Sequence, residues 1–117
     1  MAVQSAFRKR IMATSRIDIF QNMLDADPDN AMVRFGLANE LLKAERYTEA
    51  AVALEEYLAR ASDEGAAYGM LARAYERTGE PGKARAAYEK GIQTALAHNH
   101  PSMAEDYRMT LEMDYED

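Results

Sequence analysis

Hydrophobic and small residues recur along this chain with a period of 34 positions. Large side chains align with large ones, and alanine with alanine, in the pairs Leu37/Leu71, Ala38/Ala72, Leu41/Tyr75, Ala50/Ala84, Ala53/Ala87, Leu54/Tyr88 and Leu58/Ile92. Inside each repeat these positions are mostly three or four residues apart, which is the spacing of one face of an α-helix. Because the pattern runs through two such stretches in each repeat, it predicts two helical hairpins in succession.

Glycine and proline mark where one predicted helix ends and the next begins. The segment Thr78-Gly79-Glu80-Pro81 ends a helix with a glycine that can take a left-handed conformation, and it places proline in the first turn of the following helix. Glu45 stands 34 positions before Gly79, so we expect Glu45 at positive φ with backbone strain. The predicted helices are 15–26, 30–44, 47–60, 63–78, 81–97 and 102–114.

The first and last predicted helices flank the repeat. The last one does not continue the register, but Met103, Tyr107 and Leu111 lie four residues apart on one side of it and can cover the end of the second repeat. The first would close the other end as a half-repeat. Capping boxes are predicted at both helix starts, from the pairs Ser15/Asp18 and Ser102/Glu105.

Alanines at matching places in the repeats predict how the helices pack. The pairs Ala38/Ala72 and Ala50/Ala84 allow two antiparallel helices to approach closely, and larger residues one turn away fill the remaining space. The predicted seams are Leu37, Leu41, Ala50 and Leu54 in the first hairpin, and Leu71, Tyr75, Ala84 and Tyr88 in the second.

These residues resemble the tetratricopeptide repeat (TPR) family, whose signature is W-x2-L-G-x2-Y, then A-x3-F, then P. The second repeat reads Tyr68-x2-Leu71-Ala72-x2-Tyr75 followed by Ala84-x3-Tyr88, and the first reads Arg34-x2-Leu37-Ala38-x2-Leu41 followed by Ala50-x3-Leu54. Asp27-Pro28-Asp29-Asn30 is similar to the junction between such repeats, whereas Arg34 departs from the usual aromatic. The resemblance covers about residues 16–97 and implies an all-α fold, a short α-solenoid of antiparallel helical hairpins with a C-terminal capping helix.

The expected organisation is a single TPR-like domain over residues 15–114, preceded by a basic extension over residues 1–14. The domain would consist of a half-repeat (15–28), two repeats (29–62 and 63–96) and the capping helix (102–114). Met12 is an alternative start of the native protein, because the preceding residues are basic and outside the repeat register.

Composition and charge narrow the classes of function. The net charge is −6, and because residues 1–16 carry four basic and no acidic side chains, the rest of the chain carries −10. A body of that charge repels nucleic acid, although the basic N-terminus could touch an anionic surface or form a solvated arm. With no cysteine, no apolar run of the ~20 residues that span a bilayer and no signal-peptide pattern, we expect a cytoplasmic protein.

The sequence shows no catalytic, cofactor-binding or metal-binding motif, so it predicts a protein that is not an enzyme. His98 and His100 are two positions apart near a helix end, whereas metal-binding pairs on a helix are four apart, so a solvated loop is favoured. The glycines form no phosphate-binding pattern. Acidic pairs such as Asp63-Glu64 fit first-turn acids or charged helix surfaces.

The resemblance implies a concave groove, lined by the first helix of each hairpin, that receives a peptide segment of a protein partner. The family's groove positions fall on Phe35, Asn39, Leu42 and Lys43 in the first repeat and on Gly69, Arg73, Glu76 and Arg77 in the second. Phe35 stands where members that clamp a C-terminal carboxylate carry lysine, so that clamp is incomplete. Arg73 and Arg77 are one turn apart and could still bind a carboxylate or another acidic group.

Each of these assignments has an alternative. Arg73 and Arg77 could pair with neighbouring glutamates on a solvated face, and Phe35 could be core packing against the first helix. The function expected is an adaptor or scaffold that binds a peptide. The alternative is a structural module that associates with further copies of itself as a homo-oligomer.

Overall fold

The structure, a computed structural model, describes residues 16–115. This part of the chain consists of six helices without a strand, which confirms the predicted all-α fold. The helices are α1 (described over 16–26), α2 (Ala31–Lys43), α3 (Tyr47–Arg60), α4 (Ala66–Arg77), α5 (Pro81–Ala97) and α6 (Pro101–Asp114). The predicted basic extension (1–14) and the Ser15 cap lie outside the described residues.

The chain divides after Arg60 into two compact units. The first unit contains α1 and the hairpin α2–α3, and the second contains the hairpin α4–α5 and α6. The helices of each hairpin pack closely on each other, as the three-residue loop between them requires.

The two hairpin loops share one conformation, and their equivalent residues are 34 positions apart, as predicted. Glu45 has φ 60° and Gly79 has φ 76°, so the expectation that Glu45 lies at positive φ is confirmed. In each loop the following residue donates its backbone N–H to a carbonyl five residues earlier, Arg46 to Leu41 and Glu80 to Tyr75. This is the Schellman arrangement, which satisfies carbonyls at a helix end through one left-handed residue.

The predicted seams form the cores of the two units. Ala38, Ala50, Ala72 and Ala84 have no exposed surface, and the large residues predicted beside them are buried. Because alanine brings the helix axes close together, the leucines and tyrosines one turn away interdigitate across each seam.

The start of α4 differs from the prediction. Asp63 was expected inside a helix beginning at residue 63, but α4 begins at Ala66 after Gly65, whose φ is 129°. The Asp63 carboxylate accepts the backbone N–H groups of Gly65 at 2.8 Å and Ala67 at 3.0 Å. Asp63 therefore caps the helix from outside it.

The capping box predicted at Ser102 is wrong. α6 begins at Pro101, and its N-cap residue is His100, which makes no side-chain capping hydrogen bond. The left-handed residue Asn99, with φ 62°, ends α5 in the same way as Gly79 ends α4. Both α5 and α6 therefore begin at a proline that stands two positions after a left-handed residue.

Among the six helices described, each is too short or too polar to cross a lipid bilayer.

Candidate functional site

In the first unit, the predicted peptide-contacting residues share one side of α2. Phe35, Asn39 and Leu42 are half-buried, and Lys43 is exposed with its Nζ 3.4 Å from Glu40 Oε1. Spacings of three, four and eight residues place all four on one face of the helix. The first unit therefore presents an aromatic ring, an amide, an aliphatic chain and an amine together.

Phe35 is neither a fully buried core residue nor an isolated exposed ring. Its ring lies against Tyr57 of α3, with the two centroids 5.0 Å apart and the planes inclined by 52°. A tilted aromatic pair of this kind is favourable and holds both rings in place. Phe35 thus contributes a partly accessible apolar surface that α3 supports.

In the second unit, the predicted residue Gly69 lies beneath α6. A Cβ atom at Gly69 would stand 2.5 Å from the Tyr107 hydroxyl oxygen and 2.6 Å from its Cε1. The Tyr107 hydroxyl donates a hydrogen bond to the Gly65 carbonyl at 2.9 Å, and its ring also passes within 2.8 Å of the place a Cβ would take at Gly91. Two glycines on α4 and α5 therefore form a slot that the ring of Tyr107 fills.

In the first unit, the positions equivalent to these two glycines carry aromatic rings. Gly69 and Gly91 lie 34 residues after Phe35 and Tyr57. The first unit fills this place with its own pair of rings, whereas the second leaves it open for Tyr107 of α6. The side of α4 that contains Gly69 is thus occupied within the chain.

Glu76 also binds α6. Its carboxylate accepts hydrogen bonds from the hydroxyl groups of Tyr88 at 3.2 Å and Tyr115 at 2.8 Å. Burial, aided by the charge of Glu76, raises the pKa of Tyr88 to about 12. Burial and the hydrogen bond to Glu76 raise the pKa of Tyr115, whose ring lies beneath the Arg85 guanidinium at 5.7 Å. These contacts hold the last turn of α6 on the second unit.

Arg73 and Arg77 are the remaining predicted residues, and both are exposed on α4. They are one helical turn apart, so both can reach one ligand on that side of the helix. Arg73 follows Gly69 by one helical turn, and its charge opposes the burial that raises the pKa of Tyr107.

A cleft that was not predicted lies in the first unit, between α1, α2 and α3. It has a volume of about 480 Å³ and is lined in part by Arg34, which is only 8% exposed. One terminal nitrogen of Arg34 binds the Glu56 carboxylate and the other donates to the Pro28 carbonyl. One feature of the sequence could have indicated that the first hairpin differs from the second here. Arg34 and Leu41 stand at the two positions where the second repeat has tyrosine.

The two histidines take different places. The His98 ring nitrogen Nδ1 lies 2.9 Å from the Thr94 carbonyl, while His100 Nε2 lies 2.5 Å from a Glu64 carboxylate oxygen. The hydrogen bond to His100 lowers the pKa of Glu64. Within residues 16–115, no cluster of three or more histidine, aspartate or glutamate side chains could hold a metal ion.

Two comparisons with known proteins agree with the repeat. Residues 41–100 match the family model described as tetratricopeptide repeat. A TPR repeat-containing protein of Pseudomonas aeruginosa is 33% identical over 82 residues, which are 70% of this chain and 78% of that protein. The family match spans α3, α4 and α5, including the second hairpin with its complete tyrosine pattern.

Proposed function

Because the chain belongs to the tetratricopeptide repeat family, we propose that it is an adaptor that holds a peptide segment of a protein partner on the exposed sides of α2 and α4. The family consists of protein-interaction modules and is generally non-catalytic.

One observation supports this assignment above the others. Phe35, Asn39 and Lys43 follow one another at four-residue intervals on α2, and none of the three is fully buried. A peptide on this face would find an apolar anchor, an amide that can both donate and accept hydrogen bonds, and a cation. An amide flanked by an anchor and a charge suits the main chain of an extended segment.

The charges on these helices indicate an acidic ligand segment. Lys43 on α2 and Arg73 and Arg77 on α4 are all exposed in a chain whose overall charge is negative. Arginine binds a carboxylate with two parallel hydrogen bonds, and lysine acts as a point charge. We therefore propose a ligand with aspartate or glutamate side chains or with a free C-terminal carboxylate.

The experiment that tests the proposal is affinity capture from the native cell with wild-type protein and with the triple variant Asn39→Ala, Arg73→Ala, Arg77→Ala. The expected result is that the triple variant loses partners that the wild type retains. A peptide mapped from such a partner should then bind more weakly when its carboxylates are amidated.

A control variant should carry the same kinds of change away from these faces. Asn22→Ala, Arg60→Ala and Lys90→Ala remove an amide and two cations at exposed positions of α1, α3 and α5. The control should retain every partner of the wild type. Partners that bind the triple variant as well as the control would refute the assignment to α2 and α4.

The alternative, self-association, is favoured by a different observation. Ile19, Met23 and Met32 of the first unit and Met109 and Met113 of the second are large apolar residues that are 45–85% exposed. Apolar side chains in such places are often contacts with another chain. Sedimentation over a hundredfold range of concentration decides this point, because a mass that stays at one chain would exclude self-association.

A further inference from the structure

We propose that α6 is an autoinhibitory helix that occupies part of the peptide-binding surface as an internal ligand. It covers the side of α4 that contains Gly69 and Glu76, and it opens to admit an acidic, tyrosine-containing segment of the protein partner. The inference rests on the proposed function, because Gly69 and Glu76 are two of the residues predicted to contact the peptide. It adds that this part of the surface is closed until α6 leaves it.

α6 has the chemistry that the proposed function assigns to the partner. Among its fourteen residues four are acidic and one is basic, so the helix carries a net charge of −3. Tyr107 directly follows two of these acids, and Tyr115 directly follows another. The Tyr107 ring lies against Gly69, and the Tyr115 hydroxyl donates to Glu76 at 2.8 Å. An acidic segment with two tyrosines therefore already occupies this side of α4.

The slot between Gly69 and Gly91 shows which side chain a partner would insert. The Tyr107 ring fills the space where a Cβ atom at either glycine would stand, and its hydroxyl donates to the Gly65 carbonyl at 2.9 Å. The centroid of the Tyr88 ring is 5.7 Å from that of Tyr107, with the planes inclined by 51°. The slot thus combines an aromatic neighbour with one backbone acceptor. Tyrosine satisfies both, whereas phenylalanine leaves the acceptor without a donor.

Few side chains hold α6 in place. Of its fourteen residues only Ala104 and Tyr107 are buried, whereas α4 buries six of twelve and α5 five of seventeen. Met109 and Met113 on the outer side of α6 are 50% and 80% exposed. Because burial of apolar surface is the main favourable contribution to folding, we expect α6 to open at a lower free energy than α4 or α5.

The two ends of α6 are also weakly stabilised. Its N-cap residue His100 makes no side-chain capping hydrogen bond, and the preceding Asn99 has a left-handed conformation although it carries a Cβ atom. Near the other end are Glu112 and Asp114, and the last turn contains no base. Negative charge is unfavourable at the C-terminal end of a helix. Both ends therefore favour opening.

Two further contacts connect α6 to the second unit, and both are exposed to solvent. His100 Nε2 lies 2.5 Å from a Glu64 carboxylate oxygen, and the Arg85 guanidinium donates to the Tyr115 carbonyl. Exposed contacts between charged side chains contribute little to stability. The closed position of α6 consequently depends on the Tyr107 ring and on the hydrogen bond from Tyr115 to Glu76.

Hydrogen exchange of the backbone amides, measured by NMR on the full chain, tests whether α6 opens as a unit. We expect residues 105–112 to share one protection factor, at least about a hundredfold below that of the slowest amides of α4 and α5. Protection that falls gradually toward residue 114 would show only fraying of the helix end. Protection equal to that of α5 would show that α6 opens only when the unit unfolds. Either result would overturn the proposal.

The variant Tyr115→Phe tests what keeps α6 closed. It removes a hydrogen bond to a carboxylate, so the amides of residues 105–112 should exchange at least about tenfold faster than in the wild type. Met113→Ala changes an 80% exposed residue of the same helix and should leave their exchange unchanged. Equal exchange in the two variants would contradict closure through Glu76.

A synthetic peptide of residues 101–115, acetylated, amidated and fluorescently labelled, tests whether the slot accepts a tyrosine from another molecule. It should bind the full-length variant Tyr107→Ala at least about tenfold more tightly than the wild type, because the variant's own α6 no longer fills the slot. The full-length variant Tyr47→Ala loses a tyrosine of the first unit and should bind the peptide only as the wild type does. The same peptide carrying Tyr107→Ala should bind none of these proteins. Equal binding of the two peptides to the Tyr107→Ala protein would refute the slot as a site.

These measurements require no native partner, so they can fail independently of the proposed function. If α6 opens and its peptide binds the slot, the autoinhibitory role is supported even where the triple variant of Asn39, Arg73 and Arg77 retains every captured partner. If α6 stays closed until the unit unfolds, the autoinhibitory role is refuted and the assignment of the peptide to α2 still stands.

Discussion

Glu45 and Gly79 have the same left-handed backbone conformation, but only Glu45 carries a Cβ atom. In a left-handed residue the Cβ approaches the following carbonyl oxygen, which costs about 1 to 2 kcal/mol. The conformation persists because Arg46 and its hydrogen bond to Leu41 close the helix end in the same way as Glu80 does in the second hairpin. The loop geometry therefore depends on the helices at either side of it, and Glu45 is strained to fit.

Replacing Glu45 by glycine should stabilise the protein. We expect Glu45→Gly to raise the free energy of unfolding by about 1 kcal/mol, because relief of the strain exceeds the entropy that glycine adds to the unfolded chain. Urea denaturation followed by circular dichroism measures the change.

The matched control is the reverse change in the other loop. No atom lies within 4 Å of a Cβ placed on Gly79, so Gly79→Ala tests the backbone alone. It should lower the free energy of unfolding by about 1 kcal/mol. A destabilised Glu45→Gly variant would contradict the equivalence of the two loops.

At the scale of helices, the sequence predicts those helix ends that are determined by residues close to them in the chain. The hairpin loops follow from Gly79 and Pro81 and from the offset of 34 residues, so the predicted starts of α3 and α5 are correct and the predicted ends of α2 and α4 are one residue too long. The predicted helix start at Asp63 is wrong by three residues, and the capping box predicted at Ser102 is wrong. Asp63 acts through hydrogen bonds from outside the helix, and Ser102 follows a proline that already occupies the first turn.

The surroundings of the candidate residues were less predictable, because they depend on contacts between distant parts of the sequence. The sequence predicts that Tyr107 covers the end of the second repeat, but nothing near Gly69 indicates that the ring fills the space above this residue. Glu76 is likewise bound by Tyr115 at the end of α6. The 34-residue repeat identifies equivalent positions on α2 and α4. The positions on α4 nevertheless have different neighbours, because α6 packs against them.

The slot between Gly69 and Gly91 makes a prediction about α6. A methyl group at Gly69 would displace the Tyr107 ring and its hydrogen bond to Gly65, at a cost of about 1 to 3 kcal/mol. Alanine has the better helix propensity, worth about 0.5 to 1 kcal/mol, so we expect Gly69→Ala to be destabilising overall. The measurement is the free energy of unfolding in urea.

Gly82 provides the control for this prediction. It lies in the first turn of α5, and a Cβ there would meet no atom within 4 Å. Gly82→Ala should therefore be neutral or stabilising by up to about 1 kcal/mol. If Gly69→Ala were stabilised as much as Gly82→Ala, Tyr107 could not occupy the slot.

For the molecule as a whole, the tyrosine hydroxyls bound to Glu76 predict how stability depends on pH. The pKa of Tyr88 is about 12 in the folded protein, against an ordinary value of 10.0. Above pH 10 the unfolded chain loses this proton while the folded chain keeps it, so the contribution of Tyr88 is complete below pH 10 and is lost as the pH approaches 12. The raised pKa of Tyr115 acts in the same direction.

The test is the free energy of unfolding measured in urea between pH 9 and pH 12. Wild-type protein should lose stability over this range more steeply than the variant Tyr88→Phe, which has no hydroxyl to ionise. Parallel curves for the two proteins would show that Tyr88 keeps its ordinary pKa in the folded state.

The charge of the molecule agrees with a protein partner. Outside residues 1–16 the chain carries −10, which opposes binding to nucleic acid, while Lys43, Arg73 and Arg77 place cations on the proposed peptide faces. The central claim is therefore that the partner contacts the side of α2 that contains Asn39.

Site-specific photo-crosslinking in the native cell tests this claim most directly. The photoreactive residue p-benzoylphenylalanine would replace Asn39 on α2 and, in a separate variant, the exposed Lys90 on α5. The account predicts a partner adduct from position 39 and none from position 90. An adduct from position 90 without one from position 39 would contradict it.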